Sequence, residues 1–498
     1  MMKSFFRRRA ALAMLAAITL LCAGRPARSQ GDIASSVGVF VDPPSTVRFA
    51  QRRERPTVQR RYVPRRTPRP TPTPTETASR NNPPVASPPK RPREETNRAT
   101  PPPPTTPRVT AEALNEKGEA AINSNKYADA IEPLKQSLRL KSDFAEAHYN
   151  LGYVYNELGR YAEAVESLKQ ATRLDPQNVD AFTALGAAHY KLNHYAEAAE
   201  AYKQAARLDA NNAETRFVLA NAYAGAGQTD EAVAAYEHAI KLNPNYTEAF
   251  YNLAATYIKA EKFSEAADAY RWVVRLNPKD DEALSNLGDI YRKLNRFTEA
   301  SDAYRRALEL KPDDPELHYD LGFVYAKERR WGGAVQEFQK TIALKPDHAN
   351  AHILLGLAFM RTNRTAEAVQ VLKKAVTLAP QESAAHYNLG MAYWRTGKSA
   401  ESAAAITEAL RLKPGWPEAI NSLGVAVGSQ GRLKEAIKLH EEALQLKPDF
   451  VGAYANLAMA YCFNKEKQKA EATYSKLKTL DPALAATVRA AKLPCKFK

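Results

Sequence analysis

The sequence predicts an all-α protein. Its body is a right-handed superhelical solenoid of eleven helix-turn-helix units, with a C-terminal capping helix after it and a disordered Pro-rich segment before it. Three observations carry this reading. A 34-residue unit recurs eleven times over residues 111–484 without insertion or deletion. Apolar residues recur inside each unit at helical spacing. Small or helix-breaking residues fall at the same places in nearly every copy.

The unit Asp281–Asp314 serves as reference, with positions counted from its first residue. Positions 7, 11, 24 and 28 are apolar, as in Leu287, Tyr291, Tyr304 and Leu308, so each of two helices gains one apolar face. Position 8 is Gly in eight units and Ala in three; position 20 is Ala in ten units and Ser402 in the other. A larger side chain at either place would hold helix A and helix B of a hairpin apart. Position 15 is Gly or Asn in eight units, where a left-handed residue ends helix A. Position 32 is Pro in nine units. Proline cannot continue helix B and it restricts the residue before it. Residues 485–498 read as a capping helix and tail, with the helix over Ala485–Leu493 stopped by Pro494.

The spacing, the Gly/Ala–Ala–Pro punctuation and phrases such as HYNLGYVY (148–155) and FYNLAATY (250–257) resemble tetratricopeptide repeats. The resemblance covers residues 111–484 and implies stacked antiparallel hairpins whose A helices line a hollow side.

Residues 1–29 read as a signal peptide or an uncleaved anchor. Lys3, Arg7, Arg8 and Arg9 precede an apolar run, Ala10–Ala23, and small residues follow at Ala27 and Ser29. That run is short for a membrane span, which needs about 20 residues. Residues 30–110 hold runs such as TPRPTPTPT (67–75) and PPPP (101–104) and few large apolar residues, so they cannot build a core. They read as a semi-rigid, basic, disordered linker. Residues 1–110 carry 21 Lys/Arg against 6 Asp/Glu, and the rest of the chain carries 50 against 49. The array is therefore nearly neutral, which disfavours nucleic acid as its partner. The Arg-rich stretch from Arg52 to Arg69 suits an anionic membrane or an envelope polymer. Together these place the protein outside the cytoplasm, periplasmic or membrane-tethered.

No P-loop, GxGxxG, HExxH or CxxC pair occurs, and no cofactor is expected. The repeats also resemble the arrays that precede the catalytic part of O-linked N-acetylglucosaminyl transferases. Only 14 residues follow the last repeat, so no transferase activity carries over and the reading is non-enzymatic. His148, His318, His352 and His386 all fall at position 4 and read as packing residues. Stacked helices lie about 8–10 Å apart, too far for one metal to bridge such a column.

Positions 2, 5, 6, 9, 12 and 13 of helix A are expected to face the hollow side. In the transferase arrays asparagines at position 6 hold the backbone of an extended peptide. The resemblance implies the same for Asn150, Asn252, Asn286, Asn388 and Asn456. Aromatic residues at position 5 (Tyr251, Tyr319 and Tyr387 among them) and basic residues at position 13 (Lys259, Lys293, Lys327, Arg361 and Arg395) complete a groove suited to an extended, somewhat acidic peptide. Each of these types is also what an average repeat carries. Leu354, Leu357, Met360, Met391 and Trp394 suggest an apolar contact with a protein surface or a second copy. Cys462 and Cys495 lie where a disulfide can pin the cap to the array in an oxidising compartment; two free thiols are the other reading. The function expected is a scaffold that binds a protein or an extended peptide. The alternative is an accessory of a secretion, pilus or exopolysaccharide machinery whose groove meets glycan.

Overall fold

A computed structural model describes residues 109–491, 493–495 and 497. The expected signal segment and all of the linker up to residue 108 lie outside the described residues. Among the described residues there are 23 helices and no strand.

The chain divides between Glu261 and Lys262 into two compact units. The N-terminal unit holds α1 (Ala111–Asn123), α2 (Tyr127–Leu140), α3 (Ala145–Glu157), α4 (Tyr161–Leu174), α5 (Val179–Lys191), α6 (Tyr195–Leu208), α7 (Ala213–Gly225), α8 (Thr229–Leu242) and α9 (Thr247–Lys259). The C-terminal unit holds α10 (Phe263–Leu276), α11 (Asp281–Lys293), α12 (Phe297–Leu310), α13 (Pro315–Lys327), α14 (Trp331–Leu344), α15 (Ala349–Arg361), α16 (Thr365–Leu378), α17 (Ser383–Arg395), α18 (Ser399–Leu412), α19 (Pro417–Ser429), α20 (Leu433–Leu446), α21 (Val451–Phe463), α22 (Lys467–Leu480) and α23 (Pro482–Ala490). Within each unit consecutive hairpins pack on one another. Odd-numbered helices up to α21 are the A helices and occupy positions 1–13; even-numbered ones are the B helices and occupy positions 17–30.

The small residue at position 8 answers to one side chain, the residue at position 24 of the same repeat. A Cβ built on Gly152 would lie 2.4 Å from Leu168 Cγ, and one on Gly288 would lie 2.6 Å from Tyr304 Cε1. Position 20 lies in the same seam and is wholly buried in all eleven repeats. Position 27, which the sequence reading did not single out, is buried throughout as well, from Ser137 to Leu477.

Position 15 is left-handed in every repeat, with φ between 55° and 81°. Three of these residues are neither Gly nor Asn: Glu261, Arg329 and Lys465. The hairpin imposes the conformation there, because the next residue's N–H must reach the carbonyl at position 11, as Glu466 reaches Tyr461 at 2.9 Å. A β-carbon in this region costs about 1 kcal/mol or more. Lys465→Gly is therefore expected to raise stability by up to about 1 kcal/mol in urea denaturation. No gain would show that the turn is unstrained.

At the C-terminal end the capping helix starts earlier than the sequence reading placed it. Helix α23 begins at Pro482, not Ala485, and ends at Ala490, not Leu493. Asp481 accepts a hydrogen bond from Leu484 N at 2.8 Å, and Pro482 fits the first turn because its missing N–H is not needed there. The proline that stops helix B in other repeats here opens the next helix. Leu484, Ala485 and Val488 are its buried face.

Candidate protein-binding face

The A helices carry every residue the sequence reading placed in the groove, and most of those side chains have structural partners. Asn150 Nδ2 donates to Asn115 Oδ1 (3.1 Å) and to Glu119 Oε1 (3.0 Å), residues at positions 5 and 9 of the preceding repeat. Asn252 donates to Asn221 at 2.8 Å and Asn456 to Asn421 at 3.1 Å. Asn286 donates to the Tyr270 hydroxyl at 3.3 Å. Asn388 is wholly buried. The position-6 amides of Asn150, Asn252 and Asn456 thus stitch neighbouring A helices together.

The position-5 aromatics behave similarly. Tyr319 packs at a tilt against His348 and Tyr387 against Trp416, each with ring centroids 4.6 Å apart. Both partners sit at position 34 and cap the next A helix. The Tyr387 hydroxyl also meets Ser422 Oγ at 3.2 Å. Tyr251 is half-buried.

The basic residues at position 13 are the more accessible set. Lys259 and Lys293 are exposed, and Lys327, Arg361 and Arg395 are half-buried. Lys293 lies over the Phe263 ring at 5.6 Å and Lys327 over Phe323 at 5.0 Å. Arg361 lies over Trp331 at 5.4 Å, and Arg395 donates to Met360 O at 2.6 Å. Burial, and then the charges of Arg395 and Arg329, pull the Arg361 guanidinium pKa down. The face therefore carries a convergent positive charge near repeats 7–9, which favours anionic groups.

Repeat 6 holds a compact polar cluster beside this face. Arg292 lies 3.5 Å from Asp289, whose carboxylate accepts from the Tyr304 hydroxyl at 2.6 Å. Burial by itself would lower the Arg292 pKa, but Tyr304, Asp320 and Asp289 outweigh it and raise it. Burial first, and then Asp289 and Asp320, raises the Tyr304 pKa. In repeats 1 and 2 carboxylates lie close together instead. Burial and the nearby Glu119 raise the Glu146 carboxyl.

The position-4 histidines serve the loops. His148, His318, His352 and His386 each point Nε2 at the carbonyl six residues earlier, at distances of 2.8–3.0 Å. Tyr454, at the same position, does this with its hydroxyl at 3.2 Å. Each ring thereby holds the turn from helix B to the next helix A. His318 also meets Glu337 at 2.6 Å through Nδ1. Burial pushes the Glu337 carboxyl up, but the His318 bond and Lys340 outweigh this and hold it below its ordinary value. Among the described residues no group of three or more His, Cys, Asp or Glu is placed to hold a metal.

Family models described as tetratricopeptide repeats match residues 118–159, 152–193, 179–212, 220–261 and 247–280. Over those residues the array is built of tetratricopeptide repeats. A model described as the C-terminal domain of cilia and flagella-associated protein 70 matches residues 273–492. No curated protein matches the chain. Several solved structures are similar to it. YrrB, described as having an unusual peptide-binding site, is 22% identical over 38% of this chain and 96% of its own, with a TM-score of 0.34. The Cut9–Hcn1 hetero-tetramer of the APC/C is 14% identical over 77% and 96%, with a TM-score of 0.38. MamA from Desulfovibrio magneticus RS-1 is 24% identical over 34% and 94%, with a TM-score of 0.33.

Two further features of this array escaped the sequence reading. Arginine at position 16 covers the aromatic ring at position 11, as Arg330 covers Tyr325 at 4.0 Å and Arg364 covers Phe359 at 4.3 Å. The 16-to-11 pairing could have been found by scanning the repeats column against column. The other is His440, at position 24 of repeat 10, where other repeats carry Leu, Ile, Phe or Tyr. It is wholly buried, its Nδ1 donates to Asn421 Oδ1 at 2.8 Å and its Nε2 has no partner.

Proposed function

We propose that the protein is a non-enzymatic scaffold that docks an extended, acidic peptide segment of a partner protein along the A-helix face. The observation that carries this reading is the basic series at position 13, above all Lys293 and Lys327 on neighbouring repeats of the C-terminal unit. Extended peptides suit a wall of parallel helices, because each repeat offers the same side-chain positions at a constant interval. The position-6 amides that bond across repeats keep that wall rigid, which lowers the ordering cost of docking. Cationic side chains at its edge add carboxylate recognition.

The test is a charge reversal. The pair Lys293→Glu and Lys327→Glu is expected to weaken capture of a fluorescent Asp/Glu-rich decapeptide by about tenfold and to flatten its salt dependence. The helical melt should fall by no more than a few degrees, since Lys293 is exposed and Lys327 only half-buried. Unchanged affinity would refute the assignment.

We further propose that the scaffold is exported and held off a membrane by the basic linker. The basic-then-apolar start at Lys3–Ala23 supports this, and so does the disulfide between Cys462 and Cys495. Sequencing the N-terminus of the native protein tests it. A mature start between residues 24 and 31 is expected for export, and a start at Met1 or Met2 with full solubility contradicts it.

A further inference from the structure

The end of the chain is tied down by one covalent bond and one ring. Cys462 in α21 is 2% exposed and forms a disulfide with Cys495, 33 residues on, with Cα atoms 5.7 Å apart. The Cys495 N–H also donates to Cys462 Sγ at 3.0 Å. Two residues later the buried Phe497 stacks on Tyr474 of α22, centroids 4.4 Å apart and planes within 10°. Between α23 and Phe497 the backbone bonds are local ones, Ala491 N to Val488 O and Leu493 N to Ala491 O. No ladder of backbone bonds holds these described residues to the array. A segment bonded so sparsely is ordered only while something outside its backbone restrains it.

We propose that the Cys462–Cys495 bond is a redox latch: it holds the tail over the end of the last repeat, and a dithiol reductant opens it. The reductant's thiolate attacks Cys495 Sγ, because Cys495 is half-buried and Cys462 is enclosed. The S–S bond breaks, and Cys462 leaves as a thiolate that takes up a proton. The second thiol of the reductant then attacks the mixed disulfide, frees Cys495 as a thiol and departs as a cyclic disulfide. Two electrons and two protons pass to the protein. The described tail residues Ala491, Leu493, Pro494, Cys495 and Phe497 then come away. Cys462 and the Tyr474 ring reach solvent, and the end of α21 loses its cover. Helix α23 stays, because Leu484, Ala485 and Val488 hold it independently. The proposal does not depend on the peptide-docking reading.

Hydrogen exchange read by mass spectrometry tests this on the full chain, with dithiothreitol as the probe. Reduction is expected to speed exchange in residues 491–497 at least about tenfold, to expose the end of α21, and to leave α10 to α20 unchanged. Cys495→Ser should show the open pattern without reductant and no response to it. Phe497→Ala, left oxidised, should remain closed. Two free thiols in the denatured, unreduced native protein would overturn the proposal. So would unchanged exchange of the tail after full reduction, or loss of protection spreading through α10 to α20.

Discussion

Gly356→Val is expected to destabilise the C-terminal unit by at least about 3 kcal/mol, the upper end of what overpacking a close-packed core costs. A Cβ on Gly356 would stand 2.4 Å from Leu372 Cγ and within 2.9 Å of both of its methyl carbons. Leu372 is wholly buried, so it has no free space to move into. Valine adds two methyl groups beyond that Cβ, and helices α15 and α16 must separate to admit them. Urea denaturation followed by circular dichroism measures the loss. Gly332→Ala is the matched control. That glycine sits in helix α14, and a Cβ there would meet nothing within 4 Å. It should stabilise by about 0.5–1 kcal/mol, through helix propensity alone. Adding Leu372→Ala to Gly356→Val should recover part of the loss, with a coupling of at least about 1 kcal/mol. Equal, small effects at Gly356 and Gly332 would mean that the A–B seam is not set by positions 8 and 24.

The second large effect is on pH dependence. Burial holds the His440 imidazole neutral and pushes its pKa down to about 3 from the ordinary 6.5. As pH falls, the unfolded chain takes up this proton first. The contribution of a neutral His440 is therefore fully present above pH 6.5 and is lost progressively as pH falls towards 3. By pH 4.5 the loss amounts to about 2–3 kcal/mol. His440→Leu removes it. Leu134, Leu168 and Leu372 occupy the same position opposite a glycine in repeats 1, 2 and 8, and Asn421 keeps Asn456 as a partner. The variant is expected to match or lag the parent at pH 7 and to gain on it by that margin between pH 7 and pH 4.5. Parallel stability profiles for the two proteins would contradict the assignment.

The hairpin was legible because its rules recur eleven times. Positions 8, 15 and 20 each have one physical task, and every copy repeats it. Even where the residue disagrees, as at Arg329 and Lys465, the surrounding hairpin enforces the same left-handed turn. The face was less legible, because a single sequence shows the period along the chain and not the bonds across it. Asn150 and Asn456 matched a peptide-holding pattern, yet their amides reach the neighbouring repeat. The signal for this was present: Asn115 and Asn421 stand 35 residues before them, as a lateral pair requires. The cap was misplaced for a similar reason. Pro482 reads as a terminator by position, while Asp481 before it and the apolar Leu484 after it also spell a helix start.

The central claim is that identical hairpins present their A helices as a passive docking wall. Hydrogen exchange of the full chain with and without a saturating Asp/Glu-rich peptide tests it most directly. Slowed exchange confined to A helices, with α11, α13, α15 and α17 foremost, is the expected result. Protection of the B helices α12, α14 and α16 instead, or chemical conversion of the peptide during the measurement, would contradict it.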